Sequence, residues 1–387
     1  MVERILKTII VETRVPFNRP LVLGDEANYV VQAFAQGHLA GDGPFTRRCH
    51  ALVEDALAVP KALLTTSCTH ALEMSALLLD VKPGDEVIVP SFTFVSSANA
   101  FVLRGARPIF IDIRPDTLNL DESQLERMIT PRTRAIVVVH YAGIRCAMDA
   151  ILAIASARGI PVVEDNAHGL FARYNGRFLG TFGALATQSF HETKNFTCGE
   201  GGMLLVNDSD LIERAEVVRE KGTNRSRFFR GQVDKYSWVD VGSSYLPSDI
   251  LAACLFAQLE ARARVQQERA RIWNRYCALL NNWAAAKGVG LPTVPVECEQ
   301  AYHLFYLLLP SLQQRQDFIA HLKARGVASA FHYVPLHLSE MGRRWGYKEG
   351  DLPVTERVGD TLVRLPFYYG ITREQQEVVA EAAYGAL

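Results

Sequence analysis

Residues 134–165 read "RAIVVVHYAGIRCAMDAILAIASARGIPVVED". A near-continuous apolar run, Ala135–Val139, is followed by a helical pattern, "MDAILAIASARG" (148–159), and then by a second apolar run, "IPVV" (160–163). Runs too apolar to alternate are strands buried on both faces, and a helix between two of them is the crossover of a parallel sheet. The second run ends on two carboxylates, Glu164 and Asp165.

The same unit recurs outward along the chain. "KALLT" (61–65) precedes "HALEMSALLLD" (70–80), "DEVIVP" (85–90) precedes "SSANAFVLRG" (96–105), and "RPIFIDI" (107–113) precedes "DESQLERMI" (121–129). Gly and Pro mark the joints, as in "KPGDE" and "SARGIP". The fold expected is α/β, a large domain with a mainly parallel sheet covered on both faces. Two further runs, "ATQSF" and "GGMLLVN", flank a loop holding Lys194. A long helical stretch spans 248–280. Beyond 288 the pattern restarts as strand "AYHLFYLLL", helix "QRQDFIAHLKARG", strand "ASAFHYV", helix "TERVGDTLVRL" and a last helix from Thr372. The division this predicts is an N-terminal extension (1–14), a large domain (15–247), a connecting helical region (248–285) and a smaller C-terminal α+β domain (286–387).

Composition narrows the function. The 387 residues are 49% hydrophobic and 21% charged, with a net charge of -1, unlike the basic balance of a nucleic-acid binder. Seven cysteines are scattered with no C-x-x-C pair, which predicts free thiols in a reducing compartment rather than a disulfide framework or a metal site. The N-terminal "MVERILKTIIVETRVPF" is broken by charges, and no run of about twenty apolar residues exists to span a membrane. A cytoplasmic protein is expected.

Ligands of an open parallel sheet bind at the carboxyl ends of its strands. After "KALLT" come Ser67, Cys68 and Thr69, small residues opening a helix whose free amides can hold an anion; the plainer reading is an ordinary helix cap. After "IPVV" come Asp165 and His168; a carboxylate there needs a cation or hydrogen-bond donors, and the plainer reading is a cap. After "TQSF" comes Lys194, among Gly199, Gly201 and Gly202, where backbone can approach a ligand closely; the plainer reading is a solvated loop. A phosphate cradle, an acid and an amine at three strand ends together suit pyridoxal 5′-phosphate, which needs a lysine for its aldehyde, a carboxylate for its ring nitrogen and an anion site for its phosphate.

The stretches "GDGPFTRRC", "TTSCTHALEMSALLLDVKPGDEVIVPSFTFVSSANAFVLRGA", "VEDNAHG", "SFHETKN", "GEGG", "REKGTNRSRFFRGQVDKYSWVDVGSSYLPSD" and "FHYVPLH" resemble the DegT/DnrJ/EryC1/StrS sugar aminotransferases from Pro16 onward. The resemblance implies the pyridoxal-phosphate aminotransferase fold type I and a two-fold homodimer with shared active sites. By position, Lys194 matches the Schiff-base lysine and Asp165 the partner of the ring nitrogen. His168 matches the residue packed on the ring, Phe94 the aromatic stacked on it, and Ser67, Cys68, Thr69 and Ser189 the phosphate site. His332 and His337 match a loop beside the sugar site. Ser244 and Leu246 depart from the pattern: many members carry Asn and Arg there, and that Asn reaches the neighbouring subunit's phosphate; Ser244 is expected to donate to it in the Asn's place, more weakly. Cys68 and Cys198 are read as small packing residues without thiol chemistry.

The closest match among these stretches implies amino transfer from L-glutamate to C4 of dTDP-4-keto-6-deoxyglucose, giving the 4-amino-4,6-dideoxygalactose nucleotide and 2-oxoglutarate, a building block of surface polysaccharide such as enterobacterial common antigen. A product with the gluco configuration, another nucleotide-linked keto-sugar, or a non-catalytic regulator on the same fold are the alternatives. A 3-dehydratase of the family has histidine in place of the lysine, and Lys194 argues against it. Arg225, Arg227 and Arg230, interleaved with Phe228 and Phe229, are read as a clamp for the substrate diphosphate, the plainer reading being a solvated loop.

Overall fold

The computed structural model describes residues 13–387. The expected extension, residues 1–14, lies outside them except for its last two residues. Seven strands form the main sheet: β1 (Lys61–Thr65), β2 (Glu86–Pro90), β3 (Arg107–Ile111), β4 (Thr133–Val139), β5 (Val162–Asp165), β6 (Leu185–Ser189) and β7 (Gly202–Val206). Their spatial order is β1-β7-β6-β5-β4-β2-β3. Pairing is parallel from β6 to β3, while β7 runs antiparallel to both β6 and β1. The sheet is therefore mainly parallel, as the alternation of apolar runs and helices predicts.

Side chains leave the strands alternately to the two faces. Leu63, Val87, Val89, Val137 and Val163 pack with Leu72, Ala98 and Phe101 on one face. Ile88, Ile136 and Val138 pack with Ile151 on the other, where Leu64, Met203 and Leu205 meet Val53 and Leu255. The covering helices are α1 (Glu26–Gln36), α2 (Pro44–Leu57), α3 (Cys68–Leu78), α4 (Ser96–Val102), α5 (Met148–Ser156) and α6 (Asp249–Glu260). Each fully buried aliphatic side chain contributes about 1.5–3 kcal/mol, so both faces are held by many small terms.

At the end of β5 the two carboxylates do different work. Glu164 is fully buried and accepts from the amides of Gly180 (2.8 Å), Phe182 (2.6 Å) and Gly183 (2.7 Å). His140 Nδ1 accepts from the Cys146 amide at 3.2 Å, so Nε2 carries the proton and donates to Glu164 at 2.8 Å. Glu164→Ala strands four donors and is expected to destabilise the protein by on the order of 3–5 kcal/mol, read as a lower denaturation midpoint. An unchanged midpoint would contradict this account of the strand end.

The stretch expected as one helix over 248–280 is two. Ser248 caps α6 through the Leu251 amide, the chain breaks at Ala261, and α7 runs Arg262–Lys287. A second sheet, antiparallel, has the order β8-β10-β9, from β8 (Tyr306–Leu308), β9 (Ala330–Phe331) and β10 (Leu362–Arg364). The segment "TERVGDTLVRL", read from sequence as a helix, is helical only within Pro353–Thr361 and then becomes β10. Leu362 and Val363 are buried in the small-sheet layer, and that packing overrides the helical reading. Val15, assigned by sequence to the large domain, pairs with Val327 and lies in the C-terminal core with Ile272, Phe305 and Phe318. All seven cysteines are free.

Candidate active site

A cavity of about 490 Å³ opens where the carboxyl ends of β1, β5 and β6 meet the C-terminal part. Ser67, Cys68, Thr69, Asp165, His168, Ser189 and Lys194 all line it, as do Phe94 and His332. Three strand ends separated by about 130 residues of chain thus converge on one space, which is the convergence the motifs require.

Lys194 is presented by a loop fastened on both sides. Its amide donates to His191 O at 2.9 Å, and the Cys198 amide returns to Phe190 O at 3.1 Å. The next residue, Asn195, donates to Ala301 O at 2.7 Å and meets His303 Nδ1 at 2.9 Å, while the Thr197 amide donates to Gln258 in α6 at 2.7 Å. Burial pushes the Lys194 ammonium below its usual range; the negative charge of Asp165 opposes this, and Arg364 adds to it. A lowered pKa brings the amine nearer its neutral, nucleophilic form.

Asp165 Oδ2 accepts from Ser97 Oγ at 2.6 Å, and Oδ1 accepts from the Ala167 amide at 3.2 Å. Ser97 lies in the first turn of α4, so one helix orients the acid that another strand carries. Ser67 Oγ caps α3 by accepting from the His70 amide at 3.1 Å. The plainer cap reading therefore holds for this hydroxyl, yet the amides of Cys68 and Thr69 remain for an anion at the same helix end. A Cβ on Gly202 would come within 2.2 Å of the Ser67 carbonyl carbon and 2.3 Å of the Cys68 nitrogen. This glycine serves the close approach of β7 to the anion turn rather than of backbone to a ligand.

His168 is buried, accepts from the Ala142 amide through Nδ1 at 3.3 Å, and stacks on His303 at 4.1 Å between ring centroids. Burial, with Lys194 and Arg364 nearby, holds it well below the usual histidine range, so the imidazole is neutral. Burial raises the Cys68 and Cys198 thiols, in keeping with packing residues. Phe94 remains 58% exposed, with an open face at the cavity rim.

Five expected residues lie elsewhere. His337 is fully buried and does not line the cavity: its Nδ1 meets Ser91 Oγ at 2.7 Å and its Nε2 meets Glu356 at 3.0 Å, which fastens the loop to the end of β2. Ser244 is exposed and bridges to Glu220; its neighbour Tyr245 is the residue that touches the anion turn, accepting from the Thr66 amide at 2.9 Å. Arg225, Arg227 and Arg230 do not reach this chain's cavity. They pair at the surface with Glu220 (3.4 Å), Glu213 (3.0 Å) and Glu216 (2.8 Å). Conversely, Ser97, His303, Tyr333 and Arg364 belong to the site or its wall and were not singled out from sequence. Ser97 carried a signal, as a small hydroxyl residue in the helix that follows the β2 strand end. Among the described residues no cluster of side chains suits a metal ion, and no helix is long and apolar enough to cross a membrane.

Comparison with known proteins agrees with this geometry. The model of the DegT/DnrJ/EryC1/StrS aminotransferase family matches residues 22–383. The spore coat polysaccharide biosynthesis protein SpsC of Bacillus subtilis is 32% identical, covering 95% of each chain. The aminotransferase TlmJ of Streptoalloteichus hindustanus is 31% identical, with a TM-score of 0.88 over 96% of this chain and 98% of its own. The putative sugar aminotransferase Spr1654 of Streptococcus pneumoniae, solved in a pyridoxal-phosphate form, is 27% identical, with a TM-score of 0.88 over 96% of this chain and 99% of its own. The chain belongs to the DegT/DnrJ/EryC1/StrS aminotransferase family.

Proposed function

We propose that the protein is a pyridoxal-phosphate-dependent sugar aminotransferase that moves the amino group of L-glutamate to C4 of dTDP-4-keto-6-deoxy-D-glucose, giving dTDP-4-amino-4,6-dideoxy-D-galactose and 2-oxoglutarate. The observation that carries the aminotransferase reading is one cavity holding a buried amine of lowered pKa, a donor-bonded carboxylate and a helix N-terminus with open amides. When bound, the cofactor supplies the electron sink for charge at the amino-bearing carbon. The residues fit it: Lys194 Nζ would hold its aldehyde carbon, Asp165 its ring nitrogen, and the start of α3 with Ser189 its phosphate. Lys194 would take the proton from the donor's Cα and, in the second half, deliver one to C4 of the sugar. Two substrates that use one cavity in turn give ping-pong kinetics.

The sugar and its configuration rest on the resemblance of the longer motifs. After turnover with the keto-sugar, proton NMR of the product reads the C4 configuration directly: an axial amine leaves only small couplings to H-4, an equatorial amine large ones. A gluco product, or none, would overturn this part of the reading.

We place the protein in the cytoplasm as a two-fold homodimer. The exposed aromatics Phe229, Tyr236 and Trp238, next to Arg225 and Arg230, support a face covered by a second copy. In that assembly the arginine run would serve the partner's cavity. Replacing Arg225, Arg227 and Arg230 together is then expected to raise KM for the nucleotide-sugar by about ten- to hundredfold per contributing arginine, leaving the glutamate half-reaction intact. Equal damage to both halves would mark a structural loop, and no damage a solvated one.

A further inference from the structure

Asn195 follows Lys194 directly and is buried, and both ends of its amide are used. Its Nδ2 donates to Ala301 O at 2.7 Å, which leaves Oδ1 facing His303 Nδ1 at 2.9 Å. An amide oxygen only accepts, so Nδ1 of His303 carries the ring proton and donates. Both partners come from one tripeptide, residues 301–303. Its middle residue, Tyr302, has a φ of 51°, a left-handed conformation that an aromatic residue keeps only where its surroundings impose it. With that turn, the carbonyl of one neighbour and the ring of the other meet the same amide.

The surroundings do impose it. Arg269, buried on α7, donates to Tyr302 O at 2.9 Å and to His303 O at 2.5 Å, and the Ala301 amide donates to Gly143 O at 3.1 Å. A Cβ on Gly143 would come within 2.7 Å of Ala301 Cβ, so a glycine is what lets these segments meet. The His303 ring lines the cavity with Lys194 and stacks on His168. Burial, with Arg269 and Arg364 nearby, holds it well below the usual histidine range, so the ring is neutral and its one N–H is committed to Asn195. The plainer reading is an aromatic ring that packs the cavity wall. Packing alone needs no donor, however, and this donor meets an oxygen whose direction a second hydrogen bond already fixes.

We propose that His303 is a positioning residue for Lys194: through Nδ1 it fixes the Asn195 amide, and with it the backbone that carries the lysine. A lysine has a long flexible stem, so burial alone leaves Nζ several places to stand. Anchoring the next residue removes part of that freedom and sets the amine against one wall of the cavity. Proton transfer depends steeply on such placement: a shift of about 1 Å costs about a hundredfold in rate. The anchor comes from the C-terminal part, whereas Lys194 follows a strand of the large sheet, so one hydrogen bond registers the amine of one against the cavity wall of the other.

This inference rests on the aminotransferase reading, and its test can fail separately from it. Two variants divide the ring from the hydrogen bond. His303→Phe keeps a ring to stack on His168 but has no donor; His303→Asn gives up the ring but places an amide donor near the position of Nδ1. The first readout is the rate at which cofactor-free protein develops the visible band of the lysine–cofactor bond on addition of pyridoxal 5′-phosphate; the second is kcat and KM. His303→Phe is expected to slow the band by about tenfold and to lower kcat by about ten- to hundredfold, with KM for glutamate and for the keto-sugar within a few-fold of wild type. His303→Asn should recover most of both losses. Asn195→Ala should add little to the loss in His303→Phe, because the two side chains act as one unit. A Phe variant like the wild type beside a damaged Asn variant overturns the proposal and leaves His303 as packing. So do equal losses in both variants, or losses from Asn195→Ala and His303→Phe that simply add. If the band depends on the donor at 303 but the wild type aminates no sugar, the positioning role stands and the sugar assignment falls.

Discussion

Lys194→Ala abolishes amino transfer, with turnover expected to fall by at least about a thousandfold, because one change removes both the covalent hold on the cofactor and the group that carries the proton. The fold should survive it. Asp165 keeps its own donors, Ser97 and the Ala167 amide, when the amine is removed, and the loop stays fastened by Asn195 and Thr197. Lys194→Arg should be equally inactive, since a guanidinium stays charged where a neutral amine is needed. Steady-state rates beside melting temperatures check both. A well-folded alanine variant that turns over near the wild-type rate would remove Lys194 from the chemistry.

Asp165→Asn carries the second large effect, a loss of about a hundred- to thousandfold in turnover with cofactor binding mostly retained. The amide oxygen can still accept from the Ala167 amide as Oδ1 does at 3.2 Å, so the turn after β5 should keep its shape. What the amide lacks is the negative charge that keeps the cofactor's ring nitrogen protonated. Cofactor retention is expected from the proposed phosphate site at the start of α3, which this change does not touch. Full activity in the Asn variant would reduce Asp165 to a turn residue tied to Ser97 and Ala167.

The sheet was legible because β2, β4 and β5 are buried on both faces, and such strands must be apolar almost throughout. That Ser67, Asp165 and Lys194 share one cavity was legible because a parallel sheet sends the residues after its strands to one edge. Arg364 was not. "TLVRL" continues a helical pattern, and only the pairing of β10 with β8 and β9 turns it into a strand that aims an arginine at the cavity. His337 shows the converse: its loop does sit by the site, through His332 and Tyr333, but its own side chain turns inward to Ser91 and Glu356. Sequence places a loop more readily than it places the direction of a side chain. The break at Ala261 was hidden for a related reason, since "LEARARV" has no Gly or Pro and helix pattern runs through it.

The most direct measurement follows the two half-reactions separately in enzyme loaded with pyridoxal 5′-phosphate. Glutamate alone should shift the cofactor's visible absorption once and release one equivalent of 2-oxoglutarate per site, with no further turnover. Adding dTDP-4-keto-6-deoxyglucose should restore the original absorption as one equivalent of amino sugar forms. Failure of glutamate to release 2-oxoglutarate, with the cofactor bound, would contradict the assignment of this cavity as an aminotransferase site.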